Sequence, residues 1–139
     1  MIGAIRDGIS LCLAEFFPEC DIYGDARVQQ GLRTPSFFVG MGECSQKPLP
    51  NGMLSLRQTV EVVYFPEHHG DLIKTWDVGM ETIALLRELR LPDGTLIRGI
   101  NCRCVVQDDA MHVYAMYHMR LRAAEERGIM EELFQKTMI

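Results

Sequence analysis

The sequence predicts an α+β fold: one domain in which a mostly antiparallel sheet, built from a long hairpin and a C-terminal hairpin, packs against two helices, with a short C-terminal helix after it. Three observations predict it. Apolar residues recur at three- and four-residue steps in two separate stretches, one at the N-terminus and one after Gly70. Two long runs, 53–65 and 111–121, alternate in polarity as half-buried strands do. Turn-forming clusters, Asn51-Gly52, Pro92-Asp93-Gly94 and Asp108-Asp109, separate these runs. The 139 residues suit a single core, expected over 1–122, with 123–139 as a helical tail.

Ile2, Ile5, Ile9, Cys12, Leu13 and Phe16 form the stripe of the first helix, with Arg6, Asp7, Ser10 and Glu15 opposite. Pro18 ends it, because a proline pushes the preceding residue out of the helical region. A short extended piece, Asp21-Ile22-Tyr23, is followed by a turn at Gly24-Asp25 and a polar loop over 29–33. The apolar run 36–44 reads as a strand buried on both sides, with Gly40 and Gly42 on one face where a helix can come close. Pro48, Pro50 and Asn51-Gly52 make 46–52 the turn of a long hairpin.

Along 53–65, Leu54, Leu56, Val60, Val62 and Tyr64 face the core and Ser55, Arg57, Thr59 and Glu61 face out. Gln58 interrupts the apolar face and is expected where that face leaves the core. Asp71 caps the second helix, whose stripe is Leu72, Trp76, Met80, Ile83 and Leu86, running to about Arg90. A last hairpin, 96–106 and 111–121, turns at 107–109. In the tail, Ile129, Met130, Leu133 and Phe134 share one side of a short helix that Gly128 weakens.

Composition excludes several classes. Apolar residues are 47% and charged residues 24%, a globular balance. The net charge of -5 argues against nonspecific nucleic-acid binding, which needs clustered cations. No apolar run approaches the roughly 18 residues of a membrane span, and Arg6, Asp7 and Glu15 break the pattern of a secretory leader. Five cysteines, an odd number, suggest reduced thiols.

No cofactor or metal motif is present, and no catalytic residue is assigned. Adjacent His68 and His69 point to opposite sides of an extended segment, and His112 and His118 are too far apart on one strand to share an ion. Cys102 and Cys104 share a face with Ile100 and Val106 and are expected to behave as small core hydrophobes. A Cys104–His112 pair depends on a register the sequence leaves open, so a thiol- or metal-dependent enzyme stays as a minor alternative. Arg98, Arg103, Arg120 and Arg122 are expected to pair with the acidic surplus.

Three strings in order, DIYGDARVQQGLRTPSFFVGMGECSQKP, LRQTVEVVYFPE and GTLIRGINCRCVVQDDAMHVYAMYHMRL, resemble a family of small phage and prophage tail terminator proteins. The likeness covers about Tyr23 to Leu121. It implies a structural virion protein, made in the host cytoplasm, that caps the head-proximal end of the tail tube as a homo-oligomer, often a hexameric ring. Tube protein, head–tail connector or neck protein and, where the tail is contractile, the tail sheath are the implied partners; DNA passes through the lumen without sequence-specific binding, and no membrane is involved. A head–tail connector or tail-completion adaptor is the alternative. On this reading the hairpin tip, Leu49, Pro50, Asn51 and Met53, contacts the tube, or Leu49 and Met53 fold back on their own sheet. Leu133 and Phe134 anchor in a neighbour's groove or pack on their own domain.

Overall fold

The computed structural model describes residues 2–24, 33–68 and 70–122. Helix α1 (Ile2–Phe16) leads to strand β1 (Asp21–Tyr23) and then to β2 (Ser36–Leu49). A single 3-10 turn, Pro50–Gly52, joins β2 to β3 (Met53–Phe65). Helix α2 (Leu72–Arg87), β4 (Glu88–Arg90), β5 (Leu96–Gln107) and β6 (Ala110–Arg122) complete the order.

The strands make one six-stranded sheet in the order β1-β2-β3-β6-β5-β4. It curls, because α1 packs against β1 and β2 at one edge and β4 at the other. The sheet is mixed but mostly antiparallel, as expected: β1 runs parallel to β2, and the other four neighbouring pairs are antiparallel. The expected C-terminal helix, with Leu133 and Phe134, lies outside the described residues.

The core fills the concave side. Ile5, Ile9 and Leu13 of α1 are buried there, as their spacing predicts. At the end of α1 the prediction is off by one residue: Phe16 is 61% exposed and Phe17 is 6% exposed. The chain leaves the helix at this point, and Phe17 turns inward to meet the Phe37 ring at 5.0 Å.

Strand β2 is longer than predicted and its breaker segment is shorter. It continues through Pro48 to Leu49, so that only Pro50, Asn51 and Gly52 turn the chain. Asn51 and Gly52 supply the left-handed φ values, 66° and 72°, that close so short a loop. Pro48 is tolerated because β1 covers only Ser36 to Phe38, leaving the rest of that edge without a strand among the described residues. Only the first part of β2 is buried, not the whole run. No helix approaches Gly40 or Gly42; a Cβ there would collide with the Phe38 ring and the Thr59 hydroxyl respectively.

Gln58 is inside the core at 1% exposure, not at its margin. A bulge between Met41 and Cys44 frees the Gly42 carbonyl. The Gln58 amide donates to that carbonyl at 3.1 Å and to the Thr59 carbonyl at 2.8 Å. A polar side chain therefore repairs the defect that an apolar one would leave open.

Helix α2 starts as predicted, with the Asp71 carboxylate accepting from the Lys74 amide at 3.3 Å. The buried face is different. Thr75, Val78, Gly79, Thr82, Ile83 and Leu86 face the core, while Leu72, Trp76 and Met80 are exposed. Small residues win because the helix lies close to the sheet: a Cβ on Gly79 would meet the Met111 side chain at 2.9 Å. Thr75 and Thr82 bury without cost to their hydroxyls, which donate to the Asp71 and Val78 carbonyls one turn back. The helix also stops at Arg87, and β4, unpredicted, pairs with β5 while burying Leu89.

In β5 a bulge between Ile100 and Arg103, with Asn101 at φ 54°, reverses the alternation. Cys102, Cys104 and Val106 stay on the inner side, but Ile100 moves to the outer face. The β5–β6 turn at Asp108-Asp109 uses two left-handed residues, φ 53° and 60°. All six residues expected to face inward from β6, Met111 to Leu121 in alternation, are buried or half-buried in the core.

Two contacts hold α2 on this sheet. The Tyr117 hydroxyl donates to the Leu86 carbonyl at 2.7 Å, and a Cβ on Gly99 would lie 2.6 Å from that same oxygen. Tyr117→Phe is expected to cost about 1–2 kcal/mol by leaving a buried helix-end carbonyl unpaired. Gly99→Ala is expected to cost more, about 2–3 kcal/mol, because backbone must move. Urea unfolding of the two variants checks the order.

Burial pushes the hydroxyl of Tyr117 well above its ordinary value and that of Tyr64 up to about 12. Folded-state values above the unfolded ones mean that stability is complete below the unfolded tyrosine value of about 10 and is lost as pH rises past it. The half-buried thiols, also raised by burial, begin the decline near their ordinary 9.0. Urea midpoints are thus expected to fall steeply above about pH 10, and less steeply for Tyr117→Phe.

Candidate interaction surfaces

The hairpin tip places Leu49 and Met53 opposite each other at the ends of β2 and β3, half-buried, with Pro50, Asn51 and Gly52 exposed between them. The tip is not a lone two-stranded projection. Strand β6 accompanies β3 to its first residue, Met53 pairing with Arg122, so three strands reach the end together. Neither Leu49 nor Met53 joins the core.

A second apolar surface escaped the sequence reading because Leu72, Trp76 and Met80 were assigned to the core and Ile73 was passed over. Ile73, Trp76 and Met80 lie at i, i+3 and i+7 on the solvent side of α2, with Leu72 beside them. Ile73 is 80% exposed. The signal was the stripe itself; what the sequence did not say is which of two helical stripes faced the sheet.

The outer face of the sheet carries a third surface. Side chains alternate across the pleat, so partners in register share a face. Arg57, His118 and Arg98 follow one another across β3, β6 and β5, and Lys47, Ser55 and Arg120 form the next row towards the tip. Leu49, Met53 and Arg122 form the last. Lys47, Arg57, Arg98, Arg120 and Arg122 are all exposed, and among the described residues one carboxylate stands in these rows, that of Glu88 on β4 opposite Arg98 at the edge furthest from Lys47. The expected pairing of Arg98, Arg120 and Arg122 with the acidic surplus is absent among the described residues. The charge of -5 conceals a local cluster of cations.

Carboxylates gather at the other end. A cleft of about 280 Å³ between the end of α1 and α2 is lined by Phe16, Glu19, Asp77 and Glu81, with Lys74 as its single cation among the described residues and Tyr64 also in its lining. The Cys20 thiol beside it is pushed up to about 11, first by burial and then by Glu19.

Further along the outer face, His112 Nδ1 lies 2.8 Å from Glu61 Oε1, Arg103 stacks 4.7 Å over the Tyr114 ring, and His118 Nε2 is 2.6 Å from the Ser55 hydroxyl. These cross-strand contacts tie β3, β6 and β5 together. No thiol joins them: Cys104 pairs with Val113 on the inner face, whereas His112 faces out opposite Val105. The Cys104–His112 dyad is therefore not formed. Among the described residues no group of three His, Cys, Asp or Glu side chains converges for a metal, and no helix is long and apolar enough to cross a membrane. His68 is exposed ahead of α2.

Burial raises the thiols of Cys12, Cys20, Cys102 and Cys104, while Cys44 is exposed on β2. A disulfide-exchange reagent near neutral pH, which consumes thiolate, is expected to modify Cys44 first. Cys44→Ser removes that fast phase; a fast phase surviving the substitution would count against the arrangement of Cys102 and Cys104.

No curated protein matches the chain. A family model described as phage tail terminator protein matches residues 4–129, from the first turn of α1 past the end of β6. That span takes in both helices and all six strands, and the protein belongs to the phage tail terminator family, structural components of the virion tail.

Proposed function

We propose that the protein caps the head-proximal end of the tail tube, ends its polymerisation and offers the face on which the head–neck assembles. The family match carries this reading, supported by the three-stranded tip with its exposed Pro50 and Asn51 and its half-buried Leu49 and Met53, which stay outside the core. A tube end is a ring of subunit surfaces, and a ring of identical caps, six in the family resemblance, meets it with one tip per subunit. Prolines on either side of Leu49 restrict the tip before it docks, which lowers the entropy lost on binding. A connector or neck protein takes the opposite face, the sheath is a further partner in a contractile tail, and DNA passes through the lumen without base recognition. Leu133 and Phe134 remain candidates for a contact between neighbours.

Electron microscopy of particles made without this gene is the direct test, in a prophage or a lytic phage alike. Overlong or ragged tubes that never join heads are expected. Tails of normal length that fail to attach would move the protein to the connector or tail-completion class, and normal virions would end the structural reading. Supplying the Leu49→Asp, Met53→Asp variant in trans is expected to reproduce the loss of length control, with thermal unfolding little changed.

A further inference from the structure

The described residues carry two charged surfaces of opposite sign. The basic one, Lys47, Arg57, Arg120 and Arg122 with Arg98 at its margin opposite Glu88 of β4, lies on the outer face at the hairpin-tip end. Two-residue steps and strand spacings put these side chains within roughly 15 Å of one another. The acidic one, Glu19, Asp77 and Glu81 around Phe16, lies on the helix side near Tyr64, at the far end of β3. The 13 residues of β3 separate the two by roughly 35–40 Å.

Both surfaces also carry exposed apolar area. Leu96 and Ile100 stand on the outer face of β5, beside Arg98. On α2, Ile73 and Met80 are the i-4 and i+3 neighbours of Asp77, so the apolar stripe is continuous with the carboxylate edge of the cleft. Charge and apolar area are thus matched between two patches of one molecule. This complementarity points to a second copy of the chain more than to a uniform polyanion, which would leave the exposed Ile73, Trp76 and Met80 without a partner.

We propose that the basic outer face of one copy docks on the acidic cleft and α2 stripe of the next. This deepens the oligomeric part of the function proposed above and rests on it. The two patches lie on opposite sides of the sheet, so a two-fold dimer cannot engage both at once. Each contact leaves one basic and one acidic patch unused, and the assembly continues head to tail until it closes.

A charge swap tests this. Arg98→Glu with Arg120→Glu reverses the basic face, and Asp77→Arg with Glu81→Arg reverses the acidic one; all four residues are exposed, and circular dichroism with thermal melts verifies the fold. In sedimentation velocity at low salt, the wild-type chain is expected to self-associate with increasing concentration and to dissociate as salt rises. Each double variant alone is expected to associate about tenfold or more weakly, and an equimolar mixture of the two to recover, because each then presents what the other lost. A wild-type chain that stays monomeric up to its solubility limit, association indifferent to the reversals, or a mixture that does not recover would overturn the pairing. So would reversal-sensitive binding of a short duplex DNA without any effect on self-association, which would assign the basic face to DNA. The two readings fail separately: a deletion with normal tails removes the terminator role even if the swap succeeds in solution, whereas overlong tails in the deletion with a failed swap remove only this interface.

Discussion

The carbonyl of Leu86 is the point on which the architecture turns. It ends the last full turn of α2, where helix carbonyls have no partner further along the helix. Tyr117 reaches it from the middle of β6, and Gly99 lets β5 pass beneath it without a Cβ. Any larger residue at 99 would push the end of the helix from the sheet, and a missing hydroxyl at 117 would leave its carbonyl unpaired. Because β4 begins one residue after α2 ends, the position of that turn also sets where β4 meets the edge of β5. Gly8 of α1 then packs against the Arg90 carbonyl at the end of β4, with room for no Cβ there either. The curl of the sheet is thus propagated from one helix end: α2 fixes β4, β4 receives α1, and α1 closes on β1 and β2.

Where the sequence was legible, one signal was enough. Strand β3 was bounded by Gly52 and Pro66 and alternated apart from Gln58, so its inward face was recoverable, though not its register; β6 likewise. Asp108-Asp109 and Asn51-Gly52 were legible as turns because few residues accept left-handed φ. The failures share a cause: a local pattern with two solutions that only tertiary contact resolves. On α2 both Ile73-Trp76-Met80 and Thr75-Gly79-Thr82 obey helical spacing. Hydrophobicity favours the first as core, and close approach to Met111 selects the second. At Asn101 one extra residue inverts the faces of β5, and nothing adjacent in the chain announces it. Strand β4 has three residues, too short for any period to show. Gln58 looked like a boundary because its partner, the bulged Gly42 carbonyl, is sixteen positions away.

The surface was less legible than the core for a related reason. Net charge is a sum over the chain, whereas a partner meets a face. Arg57, Arg98, Arg120 and Lys47 come from four strands, and only the register of β2, β3, β6 and β5 puts them in adjacent rows. The same register sets Cys104 and His112 on opposite faces, which removes the one dyad the sequence had left open.

A protein that joins a virion tail has reason to keep apolar area in water. The family membership makes this a tail component, and a tail component meets its partners after it has folded. Residues that complete the core before assembly leave nothing to bind with. Here the small residues of α2 satisfy the core and the large ones are left outside, so one helix serves folding and contact with different faces. Exposed Trp76 and Ile73 would favour indiscriminate aggregation if they stood alone. With Asp77 and Glu81 beside them, a partner must match charge as well as shape, and a like-charged surface is repelled. The carboxylates thus restrict what the apolar stripe can touch.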